Sequence, residues 1–498
     1  MRSKSIINVV VYIINVVIYI INVVNHVNND VDYTFHQGEE KYSFPRVQLS
    51  RIPPVGLQSL GRIGLSYGPG AGNRFFYIPL RGKPNAYDMD WNLKKLLLGL
   101  AACCFFAACE DDMEDGGEPQ NDPKEATFLV YMVGQNDLAD ELNDNITDLK
   151  VGYEDCGVNA NVLVYADISA APTLYLIDKD KSGAVRLATV KTYPDQYSVD
   201  PEVMREVIND VFTAYPAARK GVTFSSHADG SLYHSQTVSK RIFGDEGNGN
   251  YGINVAEMCD ALSGCPHLDL LMFDACLMGS VETAYEFKDV ARYYLATPNS
   301  VPAKGFPYAD ILPYLLQMDE AGLTRTSQLY MQYFQENGTD WDDFVSVSLT
   351  DLTKMDSLAL YMDSLFMSSE VQVRPSDINR NTLQRFENGK PLYDFGEWVD
   401  SLGLDNPYVD KVRGALERAV VYEEHGEYAS VSNYYPYRLE IPIKEGAYCG
   451  LNIYVPSANS LMSEWNQLAY FTTLRWYRDA GLWRSPFYNM FETAIRGK

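Results

Sequence analysis

The chain is short of histidine and of positive charge. Six histidines stand in 498 residues, and beyond residue 108 only His227, His234, His267 and His425 remain. Lysine and arginine number 41 against 66 aspartates and glutamates, a formal net charge of -25. Such an excess of one sign repels phosphates and anionic headgroups, so nucleic acid is not an expected partner. The eight cysteines include no CxxC pair and no Cys/His ladder at zinc spacing, and no structural metal site is expected. No P-loop and no HExxH pair occurs. Disorder is not indicated either: 46% of residues are hydrophobic and 13% aromatic, enough for a sizeable core.

The first hundred residues differ from the rest. Segments 6–12, 13–19 and 20–26 ("IINVVVY", "IINVVIY", "IINVVNH") form a near-exact seven-residue repeat, apolar but with a recurring Asn that argues against an ordinary membrane span. From Met89 the layout changes. Lys94 and Lys95 precede an apolar run from Leu96 to Ala108, and "FAAC" ends at Cys109. Residues 89–108 therefore read as a bacterial lipoprotein signal peptide, too short for a stable span, with Cys109 the lipidated residue. A signal peptide stands at the start of a chain, so translation is expected to begin at Met89, with 1–88 an upstream extension. Residues 109–124, acidic with Gly and Pro, read as a solvated tether. The expected location is the envelope of a Gram-negative bacterium, at the outer-membrane surface, with the lipid on Cys109 as the membrane contact.

From about residue 125 short apolar runs alternate with amphipathic stretches. Strands are expected at 126–134, 159–167, 173–178, 221–226, 268–275 and 293–298. Helices are expected around 138–149, 200–216, 253–262 and 277–288. The helix at 200–216 opens with Asp200 as cap and Pro201 at its first position. The fold class is α/β, a mostly parallel sheet covered on both faces. A catalytic domain spans 125–320. Past 310 the pattern loosens, and 321–498 is read as a C-terminal α+β region that completes or packs on that domain.

Ligands of such sheets gather at the carboxyl ends of the strands. "GVTFSSHADG" (221–230) ends an apolar run on His227, and "DLLMFDACLMG" (269–279) ends another on Cys276. No other Cys/His pairing joins two strand-end residues. A thiolate attacks carbonyl carbon, and a nearby imidazole exchanges its proton. "FDACLMGSVE" is read as placing Cys276 at the start of a helix, whose free amides favour a thiolate and an oxyanion. Cys259 and Cys265 read as spare thiols. "DEGNGNYG" (245–252) is acidic and Gly-rich but lacks the closing Glu of an EF-hand loop. It is read as an exposed loop, with calcium binding the open alternative.

The segments "TFLVYMVGQNDL", "SSHADG", "LLMFDACLMGSVETAYEF", "YYLATPNSVPAKGFPY" and "GLNIYVP" run in order across 125–456. Together they resemble the clostripain family of cysteine peptidases, in the clan of caspases, legumains and gingipains. The resemblance implies a caspase-like α/β/α sandwich and an endopeptidase that needs no cofactor. It makes Cys276 the nucleophile and His227 the general acid–base, with the backbone N–H groups of Cys276 and Ala228 as the oxyanion hole. Asp274 matches a family acid near the primary pocket, and Thr297, Pro298, Asn299 and Ser300 would line one wall. The family usually writes His-Gly where this chain has His227-Ala228. Residues 297–305 hold no carboxylate, which argues against strict arginine specificity. Lys240 and Arg241, in a polar loop between the two candidate catalytic residues, are the expected processing site. A catalytically silent peptide-binding lipoprotein on the same fold is the alternative.

Overall fold

The computed structural model describes residues 62–64, 75–77 and, between 124 and 493, all but 155, 170, 233–242, 247–250, 340–341, 369–378, 404–405, 435–436, 457–464, 487 and 490–491. The chain divides into two compact units between Gly117 and Glu118. In the first, Arg62–Gly64 (β1) pairs antiparallel with Phe75–Tyr77 (β2). The repeat 6–26, the signal segment 89–108, Cys109 and the tether up to 123 lie outside the described residues. No helix among the described residues is long and apolar enough to cross a membrane.

The second unit is built on a nine-stranded sheet. Its N-terminal half supplies Ala126–Val133 (β3), Ala160–Asp167 (β4), Thr173–Lys179 (β5), Val185–Thr192 (β6) and Arg219–Ser225 (β7). Phe243–Glu246 (β8) and Tyr251–Ile253 (β9) form a separate two-stranded ribbon. Leu268–Asp274 (β10), Ala291–Ala296 (β11) and Ser346–Asp351 (β12) return to the sheet. Leu392–Asp394 (β13) stands outside it, and Val420–His425 (β14) closes the sheet. The order is β14-β12-β11-β10-β7-β3-β4-β5-β6. The five strands from β11 to β4 run parallel, and antiparallel pairs flank them on both sides.

Strand β3 shows why the sheet is central. All eight of its residues are buried, as a strand covered on both faces requires. Successive side chains point to opposite faces. Leu129, Tyr131 and Val133 enter one apolar cluster, and Phe128, Val130 and Met132 the other. The first cluster takes Pro201–Ala214 (α2), Val255–Ser263 (α3), Val281–Glu286 (α4), Met355–Met367 (α7) and Pro407–Ala419 (α9). The second takes Ala139–Glu154 (α1), Tyr308–Leu315 (α5) and Glu320–Asn337 (α6). Phe395–Ser401 (α8) follows β13 directly. Helix α2 starts as its sequence indicates: the Asp200 carboxylate accepts from the N–H groups of Glu202 and Val203, with Pro201 first in the helix.

Strands β12 and β14 continue the main sheet, and one compact unit holds 118–498. The C-terminal region thus completes the sheet. The expected helix at 277–288 shortens to Val281–Glu286, capped by Ser280. Cys276 is therefore not at a helix N-terminus. The intervening residues are tied to the chain beyond β11, where Leu277 N–H donates to Asn299 O at 2.8 Å and Gly279 N–H to Thr297 O at 2.7 Å. Leu277 adopts φ 63°, which blocks helical continuation. A Cβ on Gly279 would lie 2.6 Å from the Pro298 nitrogen and the Thr297 carbonyl carbon. Gly279→Ala should accordingly lower stability by about 1–3 kcal/mol, read as a drop in the urea or thermal unfolding midpoint.

Candidate active site

Strands β7 and β10 are parallel neighbours, with Ser225 opposite Asp274. His227 and Cys276 each lie two residues past that pair. Neighbouring strands stand about 4.8 Å apart, so the register alone delivers imidazole and thiol to one rim. Both line a cleft of about 150 Å³, walled by Leu138, Leu142, Val301 and Pro302.

The histidine loop is held from several sides. Ser226 Oγ donates to Val133 O at 2.6 Å. Gly244 N–H donates to His227 O at 2.9 Å, and Ala228 forms an antiparallel bridge with Phe243. Gly230 has φ +69°, and a Cβ there would sit 2.3 Å from Leu277 O. The glycine thus lets the histidine loop touch the residue that follows Cys276. His227 Nε2 lies 2.7 Å from Asp137 Oδ1; the ring is half-buried and the carboxylate exposed. Asp137, His227 and Asp245 bring one donor atom each within 4.8 Å of one another. This reads as an imidazole oriented by the Asp137 carboxylate with a second acid nearby, and no metal is assigned to it.

The Cys276 sulfur accepts from Val301 N–H at 3.3 Å. Burial pushes its thiol up. The Val301 amide, the Lys390 charge and the Ser300 hydroxyl act against that, whereas Asp229 adds to it. The amide support expected from a helix N-terminus thus comes from the loop after β11. Asp274, at the end of β10, is buried, and its carboxyl is pushed up to about 6 by desolvation. Phe306 N–H at 3.3 Å and the Tyr308 hydroxyl at 3.0 Å donate to it and limit the rise. Gly305 carries φ +69°, and a Cβ there would lie 2.7 Å from an Asp274 oxygen.

The wall falls further along the chain than expected. Thr297, Pro298 and Asn299 are buried behind the cleft. Thr297 Oγ1 donates to Asn299 O at 2.9 Å, Pro298 O accepts from Asn452 Nδ2 at 2.7 Å, and Asn299 Nδ2 donates to Ala429 O at 3.2 Å. Ser300 is half-buried and gives its hydroxyl to Glu387 at 2.9 Å. Val301, Pro302, Ala303 and Gly305 face the cleft instead.

Two further lining residues, on α1, escaped the sequence reading. Glu141 Oε2 and Asn145 Oδ1 are buried acceptors with no hydrogen-bond partner. The signal was present: both interrupt the apolar stripe Leu138, Leu142, Ile146, Leu149 on its own face. Lys240 and Arg241 lie outside the described residues. The segment expected as an exposed loop from 245 begins as buried strand. Phe243–Glu246 is buried throughout, and the Glu246 carboxylate turns inward to the N–H groups of Ser198 and Val199 at 2.8 and 3.1 Å. Burial and the neighbouring Asp167 push Glu246 up to about 8. Cys259 and Cys265 are free thiols.

The model of the clostripain family, peptidase C11, matches residues 130–488. The chain belongs to that family. Clostripain of Hathewaya histolytica is 24% identical over 356 residues, 58% of this chain and 65% of the relative. This chain thus spans a little under two thirds of the length of that clostripain. A secreted C11 cysteine protease from Bacteroides thetaiotaomicron, solved with an irreversible peptide inhibitor, superposes with a TM-score of 0.63 at 24% identity, over 72% of this chain and 99% of that one. An inactive zymogen C11 protease from Parabacteroides distasonis gives 0.61 at 27% identity, over 72% and 98%. The sandwich described above is therefore the caspase-like fold of clostripain relatives.

The unpartnered acceptors of the clostripain-type cleft carry a cost to folding. Asn145→Leu should raise stability by about 1 kcal/mol, because it removes a desolvated amide from an apolar face, and urea denaturation would read the gain.

Proposed function

We propose that the chain is a cysteine endopeptidase that cuts peptides through a thioester. The observation that carries this reading is the shared cleft of His227 and Cys276, two residues past paired positions of adjacent parallel strands. Cys276 Sγ attacks the scissile carbonyl carbon and forms the S–C bond. His227 takes the thiol proton and hands it to the leaving amine as the C–N bond breaks. With Nε2 committed to Asp137, Nδ1 is the nitrogen that exchanges the proton. Water, deprotonated by His227, then hydrolyses the thioester and restores the thiol. The N–H groups of Cys276 and Ala228 receive the oxyanion in this scheme, and no step runs through a metal ion. A silent binding lipoprotein would need neither the thiol nor the oriented imidazole.

The cleft also bears on the substrate. Acceptors from Glu141 and Asn145 line it without a hydrogen-bond partner, and the Asp274 carboxyl, already bonded by Phe306 N–H and the Tyr308 hydroxyl, shares that lining. A P1 side chain rich in N–H donors, lysine or arginine, would satisfy them. The acids that 297–305 lacks are thus supplied from α1 and from the end of β10. The secreted location of the Bacteroides relative supports an extracytoplasmic site of action. Lipid anchoring at Cys109 and a cut at Lys240 or Arg241 complete the reading, with calcium at 245–252 as an optional ligand.

Cys276→Ala should abolish turnover of a lysyl or arginyl peptide and leave the unfolding midpoint within a degree or so. Retained peptidase activity in that variant would end the proposal. Asp274 has its carboxyl held near 6, so it is neutral below that pH and ionised above it. kcat/KM for a cationic P1 residue should therefore rise as pH increases through about 6, and Asp274→Asn should flatten that limb. A neutral P1 peptide serves as the reference.

A further inference from the structure

The strap 386–391 reaches both sides of the cleft through two charged side chains, Glu387 and Lys390. It is a tight turn: Phe386 N–H donates to Leu392 O at 3.1 Å, Lys390 N–H to Glu387 O at 3.4 Å, and Gly389 has φ +76°. On one side Glu387 accepts from Ser300 Oγ and Ser430 Oγ, both at 2.9 Å. Ser300 precedes Val301, whose N–H meets the Cys276 sulfur. On the other side the Lys390 ammonium is ion-paired to Asp229. Asp229 lies two residues after His227 and next to Gly230, which abuts the Leu277 backbone. Asp229 is thus one residue along the chain from the contact with Leu277, the residue that follows Cys276. The side chains of the Lys390–Asp229 pair keep 31% and 22% of their exposure, so bulk water screens the pair only in part.

We propose that Lys390 is a positioning residue: its ammonium, anchored on Asp229, is the fixed cation that supports negative charge on the Cys276 sulfur. A buried thiol ionises poorly unless a cation or amide dipoles compensate. Here the Val301 amide supplies one part and Lys390 another, while Asp229 opposes both. Among the described residues, the titratable side chains that share the cleft with the sulfur are His227 on the neighbouring strand end, Asp274 on its own strand and Glu141 on the facing helix, and Glu387 on the strap lies one contact away through Ser300. Three of these four are acids that disfavour a thiolate when ionised, so the strap cation works against its surroundings. Asp229 then has two effects of opposite sign. It places the ammonium, and its own charge partly cancels the field of that ammonium.

The inference takes the role of Cys276 from the peptidase reading, but its test needs no turnover. The full chain is alkylated with iodoacetamide across a pH series. The rate at Cys276 is read by peptide mass spectrometry, with Cys156, Cys259, Cys265 and Cys449 as references in the same sample. Lys390→Met should move the Cys276 profile to higher pH and slow alkylation at pH 7 by about three- to tenfold. Asp229→Asn should move it to lower pH, and Lys390→Arg should keep the wild-type profile. Both neutralising variants break the same ion pair, so a purely structural role predicts shifts in one direction. Shifts of the same sign, or none in correctly folded variants, would overturn the proposal. Opposed shifts in a chain that cuts no peptide would remove the peptidase reading and keep this one.

Discussion

The register between β7 and β10 is the constraint on which the site depends. Ser225 stands opposite Asp274, and because side chains alternate with a period of two, a one-residue slip would turn either His227 or Cys276 away from the other. Apolar residues hold that register from both faces. Val222 and Phe224 face one cluster with Leu271 and Phe273, and Leu270 and Met272 face the other. The proposed catalytic pair, on two strand ends, is thus as rigid as the core beneath it.

Around that pair the protein tolerates several unfavourable burials. Asp274 and Glu246 are desolvated acids held well above the usual carboxylate range, and Glu141 and Asn145 keep acceptors without partners. The two groups differ in kind. Glu246 is satisfied by the Ser198 and Val199 amides and ties β8 to the turn ahead of α2, while β8 in turn bridges Ala228. Its role is to brace the histidine loop. The acceptors of α1 brace nothing and open onto the cleft, the pattern of a surface kept ready for a ligand with donors.

Much of this was legible in the sequence. The strand-end placement of His227 and Cys276 followed from two apolar runs, because a parallel sheet collects its functional residues at one rim. Strands β3, β4, β7 and β10 were visible for the same reason: a long buried run leaves a long apolar run. Edge strand β6 was not, since all eight of its residues are at least partly exposed and carry little patterning. Helix α6 was also missed, for its buried Gly322, Thr326 and Ser327 do not read as an apolar stripe. The helix expected from residue 277 was misplaced because Leu277 and Gly279 bond to Asn299 and Thr297, partners some twenty residues away that no local pattern discloses.

The sequence by itself determined the central strands, their burial on both faces, and the two residues that follow β7 and β10, since hydrophobic patterning is a local property that survives without a partner. Only the tertiary structure decided what surrounds the sulfur. The Val301 amide meets it directly, the acceptors of α1 line the same cleft, and the Lys390–Asp229 pair acts on it through charge, all from segments distant along the chain. Such contacts depend on how separate elements pack in space, and the order of residues along any one of them does not encode that.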